Sequence, residues 1–331
     1  MEAQPRWALV IHGGAGAITR PQLSLEQEQA YRQSLAQIAA AGAKALRGGV
    51  SALDAVESTV RLLEDEPLYN AGRGAVFNAE GRNELDSAIM DGRTLAAGAV
   101  AGATRTRHPI SLAREIMQHS PHVMLAGDPA EEFARSRGLE QVEPAFFFTH
   151  RRWQSLERYL RSAQLPIPQR PAGVPAMLQD AGNARFAHDE GKHGTVGVVA
   201  CDMQGNIAAG TSTGGLTGKR WGRVGDSPVI GAGTYAANAS CAVSGTGTGE
   251  YFIRLTIARE ICALVEYKQL SLQAAADEVV KKRLTALGGD GGVIAVAADG
   301  QMAWSFNTAG MYRARVSART PVQVGIYGDE G

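Results

Sequence analysis

A polar stretch with four prolines ends abruptly at an apolar strand in the middle of the chain, and this junction constrains the fold strongly. Residues 161–191 have little hydrophobic periodicity, which is typical of an exposed, flexible linker. The segment directly after it, Thr195 to Cys201 (TVGVVAC), has the composition of a buried strand. The junction divides the chain into residues 1–194 and 195–331, which we expect to form one structural domain together.

Predicted helices occur in pairs, and sets of short strands lie between them. Serine caps begin the first two helices, at Ser24 and Ser51. The helices are predicted at 24–48, 51–66, 109–118, 129–137, 250–267 and 271–286. The strands are predicted at 7–11, 195–201, 206–210 and 239–244, with turns at 78–81, 91–92, 202–205 and 299–300. This grouping favours a layered α/β fold with antiparallel sheets over an alternating parallel one.

Glycine-rich segments suggest two other kinds of chemistry. The predicted loop His12 to Gly16 and the sequence Gly210 to Gly214 (GTSTG) resemble parts of a serine esterase, but all seven histidines precede Ser212 and no helix pattern follows it. Gly245 to Gly249 follows a strand and precedes a helix, as a phosphate-binding loop does, although its glycine spacing differs from the usual one. A nucleotide-binding role stays open as an alternative.

Charge and cysteine content limit the partners. The 33 basic and 33 acidic residues balance, so no net field attracts nucleic acid or an anionic membrane, and a small zwitterionic substrate fits. The three cysteines lack C-x-x-C spacing and the histidines lack zinc-site spacing, which argues against a disulfide framework and a zinc site. With neither a signal-peptide pattern nor a membrane-length apolar run, we expect a cytoplasmic protein.

The remaining possibility is catalysis by a hydroxyl nucleophile. It requires a base other than histidine, because the C-terminal part of the chain contains no histidine after His193. A threonine at a newly formed N-terminus supplies its own base, since its α-amine has an ordinary pKa of about 7.7 to 8.0. Gly194-Thr195 offers such a site where the linker meets the strand, and glycine leaves its carbonyl open to attack. The competing interpretation is that this pair simply begins the strand.

The sequence around this junction, residues 189–197 (DEGKHGTVG), resembles the cleavage site of the plant-type L-asparaginase and isoaspartyl peptidase family. Further blocks in the same order extend the resemblance to nearly the whole chain: 11–16 (IHGGAG), 69–77 (YNAGRGAVF), 84–92 (ELDSAIMDG), 120–124 (SPHVM), 211–218 (TSTGGLTG), 222–228 (GRVGDSP) and 247–254 (GTGEYFIR). The resemblance implies an αββα sandwich of the N-terminal-nucleophile hydrolase type, with mostly antiparallel sheets between helix layers.

The resemblance also implies roles for individual residues. Thr195 is the nucleophile and, once cleavage before it has freed its amine, its own base; Thr213 hydrogen-bonds to it. The remaining roles are oxyanion donors at Thr246 and Gly247, a residue that steadies the nucleophile at Asn70, and a substrate clamp of Arg223, Asp226 and the Gly249 carbonyl. The alternatives are a surface ion pair for Arg223 with Asp226, an ordinary strand residue at Thr213 and a turn former at Asn70.

A structural sodium ion is implied as well, bound by backbone carbonyls of the loop from Leu63 to Arg73. The implied ligands are Leu63, Glu64, Glu66, Tyr69, Ala71 and Arg73. The alternative is that this loop only caps the second helix. No cofactor is expected for catalysis, and the family implies a dimer of units that each contain both cleavage products.

The expected activity is hydrolysis of L-asparagine to aspartate and ammonia, and of β-aspartyl (isoaspartyl) dipeptides, through a β-aspartyl ester. A glycosylasparaginase is the alternative within the family. Ala237, Ser240 and Gly245 depart from the expected family pattern, with Gly245 at a position where cysteine is expected. These departures bear on substrate preference and on the rate of self-cleavage.

Overall fold

The fold is built on two stacked β-sheets. The computed structural model describes residues 6–174 and 194–330. The larger sheet contains β1 (Ala8–Gly16), β2 (Leu85–Asp91), β3 (Ala97–Ala103), β4 (Met124–Ala126), β5 (Val196–Cys201), β6 (Ile207–Thr213), β11 (Gly310–Ser317) and β12 (Gln323–Tyr327). The smaller sheet contains β7 (Thr234–Ala236), β8 (Cys241–Gly247), β9 (Gly291–Ala297) and β10 (Met302–Phe306).

The strand order brings strands from both ends of the chain to one side of β5, which comes from the middle of the sequence. The larger sheet has the order β12-β11-β1-β5-β6-β2-β3-β4, and the smaller sheet has the order β10-β9-β8-β7. Among the described residues, every pairing of these strands is antiparallel except that of β3 with β4. The strand that follows the junction, β5, therefore lies in the middle of the larger sheet between β1 and β6.

Helices flank the two sheets. They are α1 (Leu25–Arg47), α2 (Ala52–Asp65), α3 (Pro109–His119), α4 (Gly127–Ser136), α5 (His150–Ser162), α6 (Gly249–Leu255), α7 (Ile257–Lys268) and α8 (Leu272–Asp277), which continues as a π-helix over Glu278–Leu284. Helices α1 and α2 pack on the larger sheet, and α7 and α8 pack on the smaller one. The layered α/β arrangement expected from the sequence is confirmed.

Side-chain alternation along the strands builds the layers. In β1, Leu9 and Ile11 belong to the core under α1 and α2, whereas Ala8 and Val10 belong to the core between the sheets. β5 alternates in the same way, with Val198 facing the helices and Val199 facing the smaller sheet. Both faces of these strands are buried, which explains their nearly continuous apolar sequences.

The first two helices begin where their capping residues predict. Ser24 accepts a hydrogen bond from the Gln27 backbone N–H, and its own N–H donates to Gln27 Oε1 at 2.8 Å, which completes a capping box. Ser51 caps α2 by accepting from the Asp54 N–H. Such caps stabilise a helix by about 1 kcal/mol each.

The predicted glycine loop at His12–Gly16 is wrong, because β1 continues through it to Gly16. A bulge between His12 and Gly14 keeps the strand paired with β11. Gly14 takes a φ of +114° there, which favours glycine. The glycines therefore do not end β1, which continues through them toward the junction.

The continuous helix predicted over 250–267 is also wrong, because α6 and α7 are separate. Thr256 has a φ of +47° and breaks the helix. The first N–H groups of α7 then donate to carbonyls outside the helix, from Ala258 to Ala232 at 3.0 Å and from Arg259 to Gly231 at 2.9 Å. A distant loop therefore provides the hydrogen bonds that a continuous helix would make internally.

The linker predicted at 161–191 starts two residues too early, because Arg161 and Ser162 end α5. This helix was not predicted, and its buried face consists of Arg152, Trp153, Leu156 and Leu160. Residues 163–174 are largely exposed. The rest of the predicted linker, residues 175–191, lies outside the described residues.

No disulfide links the cysteines in the part of the chain that the structure describes. Cys201, Cys241 and Cys262 are free and buried. Over residues 6–174 and 194–330, no helix combines the length and the hydropathy that crossing a bilayer requires.

Candidate functional site

Strand pairing brings Thr195 and Thr213 together. Val196 of β5 lies opposite Ser212 of β6, so the residue before the first and the residue after the second are neighbours. Thr195 Oγ1 donates a hydrogen bond to Thr213 Oγ1 at 3.0 Å, and the Gly215 N–H donates to the same oxygen at 3.0 Å. Thr195 is nearly buried, with 8% of its surface exposed to solvent. Its hydroxyl therefore has one fixed orientation.

The Gly194 carbonyl is held as well. Its oxygen accepts a hydrogen bond from the Asn70 backbone N–H at 3.1 Å. A Cβ atom built on Gly14 would lie 2.6 Å from Gly194 Cα, so only a glycine in β1 permits this close approach. The chain at the junction is packed between β1 and the Asn70 segment.

Asn70 fixes the turn next to the two threonines. Its Nδ2 donates to the Gly215 carbonyl at 2.8 Å, and its Oδ1 accepts from the Val76 N–H at 2.9 Å. Neither of these side-chain hydrogen bonds reaches Thr195. Asn70 therefore contacts the junction through its backbone and supports Thr213 through Gly215.

Asp226 is a buried carboxyl with a free oxygen. Only 4% of its surface is exposed, and Oδ2 has no hydrogen-bond partner among the described residues. Burial raises its pKa to about 7, which the nearby Arg223 charge opposes only in part. A buried carboxylate oxygen without a hydrogen-bond partner is costly, and a cationic ligand would relieve that cost.

Arg223 pairs with Glu250, not with Asp226. Its Nε and Nη2 atoms donate to the two carboxylate oxygens of Glu250, each at 3.0 Å. The surface ion pair of Arg223 with Asp226 is therefore absent from the described residues. No role was predicted for Glu250, although it lies in the sequence block at 247–254 and begins a predicted helix.

Two glycines leave space around these charges. A Cβ atom on Gly249 would lie 2.8 Å from Asp226 Oδ1 and 3.0 Å from Arg223 Nη2. One on Gly225 would lie 2.9 Å from Arg223 Nη1. A side chain at either position would occupy the space next to the opposite charges.

Thr246 and Gly247 end β8 on the other side of the site. Thr246 is fully buried, and its Oγ1 accepts a hydrogen bond from the Ala15 N–H at 3.3 Å. A hydroxyl that accepts one hydrogen bond retains its own O–H as a donor. Gly245 precedes them, and a Cβ there would lie 2.8 Å from Phe252 Cε1, so a cysteine at this position would require Phe252 to move.

These residues converge on a small pocket, with a cavity volume of about 10 Å³. Thr195, Thr213, Arg223, Asp226 and Gly247 all line it. Gly249 contacts the two charged residues, and Thr246 adjoins Gly247. The pocket therefore combines a nucleophilic hydroxyl, a cation and an anion within one small volume.

The segment expected to bind sodium lies apart from the residues that line this pocket, at the end of α2. The Glu66 carbonyl accepts from the Tyr69 N–H at 3.3 Å, and the Ala71 carbonyl accepts from the Gly74 N–H at 3.0 Å. Each of these oxygens keeps a second lone pair for a ligand. Over residues 6–174 and 194–330, no cluster of three or more His, Cys, Asp or Glu side chains could hold a metal.

Glu64 is a further buried carboxyl that the sequence analysis assigned only through its backbone. Its Oε1 accepts from Ser212 Oγ at 2.7 Å and from the Ile110 N–H at 3.0 Å. Burial raises its pKa to about 8. It ties α2 to β6 directly beside Thr213.

Comparison with known proteins shows the family to which the chain belongs. The asparaginase family model matches residues 5–326. An isoaspartyl peptidase of Escherichia coli (strain K12) is 50% identical over 323 residues, covering 98% of this chain and 97% of its own. The probable isoaspartyl peptidase/L-asparaginase 2 of Arabidopsis thaliana is 42% identical over 331 residues, covering 97% and 99%. The plant-type L-asparaginase of Pyrococcus abyssi is 39% identical over 308 residues, covering 92% and 94%. The resemblance expected from the motifs is confirmed, and the chain belongs to the asparaginase family.

Proposed function

We propose that this protein cuts its own chain between Gly194 and Thr195 and then hydrolyses isoaspartyl peptides and L-asparagine. The observation that carries the proposal is the fixed Thr195 hydroxyl, which shares its pocket with the opposite charges of Arg223 and Asp226. Relatives of up to about half identity that are named isoaspartyl peptidases or L-asparaginases support it. The proposal includes the αββα sandwich of an N-terminal-nucleophile hydrolase.

Self-cleavage is an attack on the neighbouring peptide bond. Thr195 Oγ bonds to the Gly194 carbonyl carbon, and the negative oxygen is stabilised by the Asn70 N–H, which already donates to it at 3.1 Å. The C–N bond breaks and the Thr195 nitrogen takes the proton, which leaves an ester. Water hydrolyses the ester to give chains of 194 and 137 residues, the second of which begins with the Thr195 amine.

Turnover uses the same hydroxyl on the substrate. Arg223 pairs with the substrate α-carboxylate, while Asp226 and the Gly249 carbonyl bind the α-ammonium. The Thr195 amine takes the hydroxyl proton as the oxygen attacks the side-chain carbonyl, and Thr246 O–H and Gly247 N–H bind the developing oxyanion. The Thr195 ammonium gives this proton to the departing nitrogen, so that ammonia or an amino acid leaves, and water then hydrolyses the β-aspartyl ester.

Two structural expectations remain part of the proposal. The carbonyls of Leu63, Glu64, Glu66, Tyr69, Ala71 and Arg73 would hold a sodium ion that stiffens the segment leading to Asn70. The chemistry of this donor set fits such an ion, since neutral oxygens suit a hard monovalent cation. The mature enzyme would assemble as a dimer of units that each contain both cleavage products.

Hydrolysis assays with three substrates test this function. We expect ammonia from L-asparagine and a free amino acid from a β-aspartyl dipeptide, with glycosylated asparagine hydrolysed far more slowly. Activity on glycosylated asparagine alone would replace the proposal by a glycosylasparaginase. Binding of ATP by an intact chain without any hydrolysis would replace it by a nucleotide-binding role.

The pKa of Asp226 predicts how substrate binding depends on pH. Because burial raises this pKa to about 7, the carboxyl is protonated below that pH and charged above it. Only the charged form pairs with an α-ammonium. We therefore expect the protonation of Asp226 by itself to lower kcat/KM for asparagine as the pH drops through 7, by about tenfold per pH unit well below it.

A substrate without the ammonium separates this effect from the Thr195 amine, which must also lose a proton to act as a base. Succinamate is asparagine without its α-ammonium, so its kcat/KM depends on the Thr195 amine but not on the Asp226 charge. The ratio of kcat/KM for asparagine to that for succinamate should fall on the acid side of pH 7. A ratio that stays constant between about pH 5.5 and 8.5 would contradict the role of Asp226.

A further inference from the structure

Four buried polar side chains form a connected set directly beneath the pocket. We call His12, Thr211, Thr234 and Ser244 the polar floor. His12 Nε2 lies 3.1 Å from Ser244 Oγ, which lies 2.7 Å from Thr211 Oγ1, and Thr234 Oγ1 lies 2.7 Å from Thr211 Oγ1. All four residues are fully buried. The set spans the space between the two sheets, since His12 and Thr211 belong to the larger sheet and the others to the smaller one.

The polar floor lies on the same strand faces as the residues of the site. Thr211 is two residues before Thr213 in β6, and Ser244 is two residues before Thr246 in β8. Side chains two apart in a strand share a face. Further along these faces, Ala209 and Ala242 belong to the apolar core between the sheets. Along the inner faces of these strands, residues of the apolar core are therefore followed by the polar floor and then by the residues of the site.

The strand that carries Thr195 contacts the polar floor. Gly197, two residues after Thr195, lies against it so closely that a Cβ there would be 1.9 Å from Ser244 Oγ and 2.3 Å from His12 Nε2. The backbone of Thr195 also faces His12, whose pKa burial lowers to about 3, so the imidazole is neutral. The position of the nucleophile is therefore tied to the polar floor.

The segment that carries Asp226 is tied to it as well. Thr234 Oγ1 lies 3.1 Å from the Ser227 carbonyl oxygen, and Thr211 Oγ1 lies 3.2 Å from the Gly233 carbonyl oxygen. The Gly233 N–H donates in turn to the Asp226 carbonyl at 3.1 Å. Hydrogen bonds are directional, whereas apolar contacts at the same place would allow sliding.

We propose that the polar floor is a positioning network that sets the distance between the Thr195 hydroxyl and the Asp226 carboxylate. This inference rests on the proposed function. The distance decides which substrates react, since it must match the separation of the α-ammonium from the carbonyl under attack. In an aspartyl group this separation matches the distance. A glutamyl group is longer by one methylene, so its carbonyl carbon is displaced from the Thr195 hydroxyl. The polar floor thereby determines specificity for asparagine over glutamine.

Replacement of Thr211 by an isosteric apolar residue tests the network. In Thr211→Val the side chain keeps its shape but loses the hydroxyl at the centre of the polar floor. We expect the ratio of kcat/KM for asparagine to that for glutamine to fall about tenfold, because one methylene is discriminated by about ten- to two-hundredfold when a site is rigid. Thr211→Ser keeps the hydroxyl and should hold the ratio within about twofold of the unmodified enzyme.

Several outcomes separate this inference from the proposed function. If the unmodified enzyme hydrolyses asparagine and Thr211→Val keeps its ratio, the polar floor does not set specificity. Equal losses for both substrates would overturn the inference in the same way, since they indicate general damage. If Thr211→Val does not fold, Thr234→Val, which removes the link to Ser227, is compared with Thr234→Ser by the same ratio. An unmodified enzyme without asparaginase activity would instead contradict the proposed function.

Discussion

The variant Thr195→Ala should remain a single chain of 331 residues and lack hydrolase activity. Without the hydroxyl there is no atom to attack the Gly194 carbonyl, and without cleavage there is no α-amine to act as a base. Loss of a covalent nucleophile together with its base costs on the order of 10⁴-fold or more in kcat. Denaturing electrophoresis and an ammonia-release assay with asparagine measure the two effects.

Folding of this variant is not at risk, because the Thr195 side chain contributes one hydrogen bond, to Thr213. Such a bond stabilises a protein by about 1 kcal/mol, so Tm should shift by only a few degrees. The matched control Thr195→Ser keeps a hydroxyl and should cleave and turn over, although more slowly. Two bands of the expected sizes from Thr195→Ala would rule out the hydroxyl as the group that cuts the chain.

Replacement of Arg223 should damage substrate binding without affecting self-cleavage. Arg223→Ala removes the cation for the substrate α-carboxylate and leaves the carboxylate of Glu250 to repel it. Loss of a charge-assisted bidentate pair costs about 3 kcal/mol, so kcat/KM for asparagine should fall by about 100-fold, mainly through KM. Steady-state kinetics give both constants, and a denaturing gel checks cleavage.

Two further variants define the origin of this loss. Arg223→Lys keeps the charge but loses the planar donors, so it should recover only part of the binding. Adding Glu250→Gln to Arg223→Ala removes the repulsion and should lower KM relative to Arg223→Ala. If Arg223→Ala leaves KM unchanged, the residue belongs to the surface and not to the substrate clamp.

Local signals in the sequence predicted the parts of the fold that depend on neighbours along the chain. Ser24 and Ser51 mark helix starts because a cap requires only a side chain and the next turn of backbone. The strands next to the junction were predicted because burial on both faces leaves an apolar sequence. The grouping of these elements predicted the layered α/β class, but not the order of the strands.

Features that depend on distant partners were predicted wrongly or not at all. His12–Gly16 forms a strand because β11, about 300 residues away, pairs with it. The break at Thr256 exists because Gly231 and Ala232 satisfy the start of α7. At the site, the threonines and Asp226 were found through their motifs, whereas Glu250 and the polar floor arise from contacts across elements that no local pattern encodes.

The most direct test of the central claim is the intact mass of the purified protein together with the N-terminal sequence of its fragments. The account predicts two chains with masses that correspond to residues 1–194 and 195–331, and a second chain that begins Thr-Val-Gly-Val. Catalytic activity should rise in proportion to the fraction cleaved. A fully active preparation with one unbroken chain through Gly194-Thr195 would contradict the account.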